Sequence, residues 1–237
     1  METIGAHAAA VRATIDAAAR RAGRAPADVT VIAVTKTFPP TVVTAAVAAG
    51  FLDVGENYVQ EGRAKRQALG AQTPPRWHLI GGLQRNKVRA AVATFDRLHT
   101  VDSVALGAAI DAAATSLGRV LPILLQVNIA ADPAKRGAAP TTAAHLARGL
   151  LALRSVTLDG LMTIGPHTDE PAAGRAHFRA LRHLRDDLAQ RLGVELPHLS
   201  MGMSDDFAVA VEEGATFVRL GRVLLGERQA GPWREDR

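Results

Sequence analysis

Short apolar runs alternate along this chain with longer stretches of helical period. The runs span residues 29–35, 51–55, 76–80, 97–101, 121–128, 158–164, 197–201 and 216–220. Ile123-Leu124-Leu125-Gln126-Val127 is too apolar for a sheet with one wet face and suits a parallel strand buried on both sides. Between the runs, residues 41–49, 103–117 and 142–153 have helical spacing. Residues 175–191 carry an apolar stripe at Phe178, Leu181, Leu184 and Leu188. Strand–helix alternation predicts right-handed parallel crossovers. Eight strands within 237 residues predict an α/β fold, a single (β/α)8 TIM barrel forming one domain over 1–237, with an extra N-terminal helix over 1–21. The alternative, a doubly wound open sheet, would present a glycine-rich first turn, whereas Thr35-Lys36-Thr37-Phe38-Pro39 stands there.

Composition narrows the classes. Hydrophobic residues at 48% fill a sizeable core, and charged residues at 22% exclude a mostly disordered chain. Cysteine is absent, which excludes disulfides, a thiol nucleophile and a cysteine metal site. Residues 1–24 include Glu2 and Asp16 and lack the apolar run of an export signal. No stretch approaches the roughly 20 apolar residues that span a bilayer. The expectation is a cytoplasmic protein with no membrane partner. The net charge of +5 is mostly arginine, but the basic helix over 175–191 mixes its arginines with Asp186 and Asp187. It reads as a solvated face, so no nucleic-acid partner is expected. The histidines lack metal-ligand spacing, and no metal is expected.

Lys36 leaves an apolar strand at the carboxyl end, where barrels carry their active sites. Desolvation there disfavours the ammonium and favours the uncharged amine, the form that condenses with an aldehyde. The plainer reading is a lysine that snorkels to solvent. Gly55-Glu56-Asn57-Tyr58-Val59-Gln60-Glu61 ends the second strand, with Asn57 and Tyr58 over the barrel mouth, or with Asn57 capping a helix that has Glu61 in its first turn. His78 lies inside the third strand, as a hydrogen-bonded core histidine or a cofactor contact. After the seventh strand, Ser200-Met201-Gly202-Met203-Ser204-Asp205-Asp206 leads into a helix that Ser204 or Asp205 can cap. Arg219-Leu220-Gly221-Arg222 ends the eighth. Phosphate sites in this fold lie between those two loops. With Lys36 across the barrel, the constellation describes an aldehyde-bearing phosphate ester.

Val34-Thr35-Lys36-Thr37, residues 55–61 and 77–87, Gln126-Val127-Asn128, Lys135 with Gly137, residues 160–165 and 199–206, Val218-Arg219-Leu220-Gly221 and Gly226 occur in one order over nearly the whole chain. In these blocks the chain resembles the pyridoxal-phosphate homeostasis proteins, whose barrel is like the N-terminal domain of alanine racemase. The resemblance implies that Lys36 holds pyridoxal 5′-phosphate (PLP) as a Schiff base. It also implies that Ser200, Ser204 and Gly221 hold the phosphate, that Arg219 faces the pyridine nitrogen, and that Asn57, His78, Met162 and Met201 line the pocket. Arg222 stands where the family has a small hydroxyl residue, and two placements are open to it: on the phosphate or pointing away. The alternative activity is amino-acid racemisation. It needs a base on each face of the substrate; the only tyrosine is Tyr58, and residues 225–237 are too few for the second domain that supplies one in alanine racemase. The expected role is therefore a non-catalytic PLP carrier in vitamin B6 homeostasis, a monomer, with PLP-dependent apoenzymes as possible acceptors.

Overall fold

The computed structural model describes residues 4–70, 75–165 and 174–227. Eight parallel strands close into a barrel in chain order: β1 (Thr30–Val34), β2 (Asp53–Glu56), β3 (Arg76–Leu79), β4 (Arg97–Val101), β5 (Leu121–Gln126), β6 (Val156–Met162), β7 (His198–Ser200) and β8 (Phe217–Leu220). Around them run α1 (Ile4–Arg21), α2 (Pro40–Ala48), α3 (Val59–Leu69), α4 (Val88–Thr94), α5 (Val104–Ser116), α6 (Ala143–Leu151), α7 (Arg175–Leu192), α8 (Phe207–Glu212) and α9 (Arg222–Leu225). Each apolar run of the sequence overlaps one strand, β6 starting two residues early at Val156 and β2 ending one late at Glu56, and the extra N-terminal helix is α1. Residues 1–3 of that expected helix and 228–237 of the tail lie outside the described residues.

Side chains alternate between two layers, as the strand period requires. Ala33, Trp77, Leu79, Leu98, Leu125, Leu161 and Val218 face the helices and pack with Phe95, Ile110, Leu150 and Phe178. Each large apolar side chain buried there contributes about 1.5–3 kcal/mol. Inside the barrel a separate cluster forms from Ile32, Leu124, Met162 and Phe217. The register of β5 against β6 shifts after Ile123. On the β6 side the shift falls at Gly160, whose φ is +155° and whose added Cβ would lie 1.9 Å from the His198 carbonyl oxygen. Only glycine fits that bulge.

In α7 the expected stripe is buried at Phe178, Leu181 and Leu188, with Leu184 partly covered. Its arginines do more than meet solvent. Arg175, Arg179 and Arg182 pair with Glu213, and Arg175 also with Glu212, so part of the basic face docks α7 against the end of α8. No helix among the described residues is long and apolar enough to cross a membrane.

Candidate functional site at the barrel mouth

Lys36 follows β1 by two residues and is half-buried. β1 is hydrogen-bonded to β8, with Ile32 opposite Arg219. Arg219 is only 5% exposed. Its Nη1 donates to Ser200 Oγ at 2.7 Å and its Nη2 to the Thr163 carbonyl at 2.8 Å. Burial lowers its pKa to about 10, against the pull of Asp206, so the guanidinium is charged at neutral pH.

The loops after β7 and β8 are tied to each other. The Arg219 amide donates to the Gly202 carbonyl at 3.0 Å. The Val223 amide reaches Ser204 Oγ at 3.4 Å, and Arg222 pairs with Asp205 at 2.5 Å. Gly202 has φ +90°, and a Cβ there would lie 2.5 Å from Ala210 Cβ. The capping expectation is corrected here. Asp206 takes the N-cap of α8 without a side-chain cap bond, and its Oδ1 accepts from the Met203 amide at 2.6 Å.

Below the mouth a hydrogen-bonded row crosses the barrel interior. His99 Nδ1 and Ser200 Oγ are 2.9 Å apart, His78 Nδ1 and His99 Nε2 are 2.9 Å apart, and His78 Nε2 meets Asp53 Oδ1 at 2.8 Å. At the foot, Arg76 holds Asp53 with two bonds, Nε to Oδ1 at 2.8 Å and Nη2 to Oδ2 at 2.6 Å. Burial depresses the pKa of His78, and that of His99 strongly, so both rings are neutral. Despite its burial, hydrogen bonds from His78 and Arg76 hold Asp53 below the usual carboxylate range. A neutral ring donates once and accepts once. The Asp53 carboxylate accepts, so His78 Nε2 carries the proton and His78 Nδ1 accepts. His99 Nε2 then donates, His99 Nδ1 accepts from Ser200, and Ser200 accepts from Arg219. Every bond in the row points from Arg219 towards Asp53. The Phe217 ring packs beside it, with its centroid 5.7 Å from that of His78 and 5.5 Å from that of His99.

This geometry places the expected site residues. Lys36, Ser204, Arg219 and Gly221 come together around the mouth at the ends of β1, β7 and β8. Met162 lies in the interior cluster beneath, and Asn57 is half-buried at the end of β2, with Gly81 against its backbone. Ser200 has both faces of its hydroxyl engaged, by Arg219 and His99, rather than presented to a phosphate. His78 sits lower in the row. Met201 follows inward-facing Ser200 and packs in the helix-facing layer, so its thioether is not in the barrel interior. Of the two placements open to Arg222, the structure has the surface one, with its guanidinium on Asp205. Asp53 and His99 were not among the expected residues. A signal for His99 existed: Arg97-Leu98-His99 alternates polar and apolar in a strand expected to be buried.

The chain matches the family described as "Alanine racemase, N-terminal domain" over residues 6–229. It is 42% identical over 231 residues to the pyridoxal phosphate homeostasis protein of Pseudomonas aeruginosa, covering 98% of each chain. It is 41% identical to that of Aquifex aeolicus, covering 91% of this chain and 94% of the relative. Among solved structures, PipY of Synechococcus elongatus with PLP bound superposes at a TM-score of 0.84 and 38% identity, over 94% of this chain and all of that one. An alanine racemase of Clostridium difficile shares the fold at a TM-score of 0.71 and 16% identity, over 88% of this chain and 56% of its own. This chain belongs to the pyridoxal phosphate homeostasis protein family, built on the alanine racemase N-terminal domain.

Proposed function

We propose that this chain binds PLP at the C-terminal mouth of the barrel, with Lys36 as the amine that joins the cofactor aldehyde in a Schiff base, water leaving. The observation that carries this reading is the placement of Lys36 and Arg219 on neighbouring strands beside the tied loops after β7 and β8. The donor set fits the cofactor: an amine for the aldehyde, a buried charged guanidinium for the ring nitrogen, and Ser204 with Gly221 for the phosphate. Bound there, PLP supplies an electrophilic carbon conjugated to a ring. A guanidinium against the ring nitrogen keeps that nitrogen unprotonated, because a second positive charge beside it is unfavourable. The ring is then a weaker electron sink. Met162 contributes to the floor and Asn57 to the rim. Ser200 and His78 act through Arg219, holding it in place.

The role we read is the holding of PLP in vitamin B6 homeostasis, without racemisation; the relatives are named pyridoxal phosphate homeostasis proteins. Removing and returning a proton on opposite faces needs two bases. The one tyrosine of the sequence, Tyr58, is 61% exposed at the end of β2. The same reading gives a one-domain cytoplasmic monomer whose acceptors are PLP-dependent apoenzymes. Borohydride reduction of the PLP-treated protein, followed by peptide mass spectrometry, tests the site. A phosphopyridoxyl group confined to Lys36 is expected, and modification mainly at other lysines would overturn the assignment. Chiral chromatography after long incubation with amino acids and excess PLP tests the role, and turnover at enzyme-like rates would replace it with racemisation.

A further inference from the structure

Thr35 and Thr37 flank Lys36, and both are bound by one cluster of charged side chains on the helix side of the strands. Thr35 Oγ1 donates to Glu56 Oε1 at 2.6 Å. Lys65 Nζ donates to the Thr35 carbonyl at 2.6 Å, to Glu56 Oε1 at 2.8 Å and to Glu61 Oε1 at 2.7 Å. The Thr37 amide donates to Glu61 Oε1 at 2.5 Å. The side chains of Lys65 and Glu56 are wholly buried, and that of Glu61 is 10% exposed. Glu56 closes β2, while Glu61 and Lys65 stand one turn apart on α3.

Thr37 has φ +69°, in the left-handed region, which a β-branched residue enters only at a cost of order 1–3 kcal/mol. Something must over-determine that turn. The Phe38 amide closes it on the Thr35 carbonyl at 3.0 Å, the same oxygen that Lys65 binds. A buried ion cluster is a poor source of stability compared with apolar packing of equal volume. Apolar side chains, however, would offer neither an acceptor for the Thr37 amide nor a donor for the Thr35 carbonyl.

We propose that Glu56, Glu61 and Lys65 are positioning residues that hold the Thr35–Thr37 turn in its left-handed form and so aim the Lys36 amine into the barrel mouth. This rests on the reading of Lys36 as the amine that takes the PLP aldehyde. The cluster touches the backbone on both sides of Lys36. Relaxing it changes the reach of that amine without altering any group that contacts the cofactor.

The test uses the full chain and two readouts: hydrogen exchange of the Thr37 amide without PLP, and the rate of Lys36 adduct formation with PLP, mapped by borohydride and mass spectrometry. In Glu61→Leu the Thr37 amide loses its acceptor; exchange there speeds up about tenfold and Lys36 reacts about tenfold more slowly, while amides of β5 keep their protection. Glu61→Gln keeps an oxygen for the Thr37 amide and recovers most of both losses, leaving each within about threefold of the parent. A folded Glu61→Leu whose Thr37 exchanges freely while Lys36 reacts at the parent rate overturns the proposal. So does a Glu61→Gln no better than Glu61→Leu. Should Glu61→Leu fail to fold, Glu61→Gln decides alone: faster Thr37 exchange with an unchanged Lys36 rate sinks the idea. A parent protein that reacts at another lysine overturns the Lys36 reading itself, and an undisturbed pattern of Thr37 exchange distinguishes that failure from failure of the cluster.

Discussion

Arg219 and Ser200, on adjacent strands β8 and β7, share a 2.7 Å hydrogen bond buried beneath the barrel mouth. Ser200→Ala strips that bond and leaves His99 Nδ1 facing a methyl group. A buried group left unpartnered costs about 1–3 kcal/mol. The urea midpoint should fall accordingly, and PLP should dissociate faster because Arg219 loses one of its two anchors. A Ser200→Ala protein as stable and as retentive as the parent would mean that the row does not hold Arg219.

The direction of the row fixes the histidine tautomers. Nitrogen-15 spectra at pH 7 should show protonated Nε2 and bare Nδ1 for both His78 and His99. A protonated Nδ1 on either ring would reverse the row and contradict the geometry.

His78, His99 and His198 are all depressed by burial, His198 to about 4. A histidine whose folded pKa lies below its unfolded value stabilises the fold above the unfolded pKa, and that contribution is lost as pH falls through it. Stability should therefore drop from about pH 6.5 towards pH 5, by as much as about 1.4 kcal/mol per pH unit for each ring. Denaturation midpoints measured across that range check this, and a flat profile would refute it.

Glu56 shifts the other way. Burial, with the like charge of Glu61, outweighs Lys65 and raises it to about 7, and its Oε2 is buried with no hydrogen bond. The folded chain keeps this proton in a range where the unfolded chain has released it. Stability from this group is therefore largest at low pH and falls as pH rises from about 4.5 to about 7. Because the histidines oppose it, the test is a difference. Glu56→Gln should gain stability relative to the parent over that range, up to about 3 kcal/mol, and level off above it. A difference independent of pH would show Glu56 ionised throughout.

Gly160→Ala drives a methyl into the His198 carbonyl of the neighbouring strand. Backbone yields less than a side chain does, so the loss should exceed about 3 kcal/mol and appear as poor soluble yield or a sharply lower melting temperature. By contrast Gly23→Ala meets no atom within 4 Å, and only its φ of +66° opposes it, so its loss should be about 1 kcal/mol.

The barrel was legible because its strands are buried on both faces, and Val31-Ile32-Ala33-Val34 or Ile123-Leu124-Leu125 needs no partner to be recognised. Lys36 was legible for the opposite reason, as a charge at the end of such a run. The row from Arg219 to Asp53 was not. It joins β2, β3, β4, β7 and β8, and a bond between His99 and Ser200 links residues 101 apart in the chain. Spacing along one strand cannot reveal which residues meet inside a closed barrel. In the sequence Glu61 reads as a first-turn acid facing the helix dipole, and it does lie in the first turn of α3. Its bonds to Lys65 and the Thr37 amide depend on where α3 packs, which tertiary contact decides.

The uniform sense of the hydrogen bonds between Arg219 and Asp53 polarises the barrel interior. Each O–H or N–H in the row turns its positive end towards Asp53, so the small dipoles add, as peptide dipoles do in a helix. Their summed positive end meets the Asp53 carboxylate and their negative end meets the Arg219 guanidinium, so one row solvates two buried charges of opposite sign. The positive potential that an anion meets at the mouth is that of Arg219 itself, held in place by the row and not augmented by it. Reversing the row would require every proton in it to move at once.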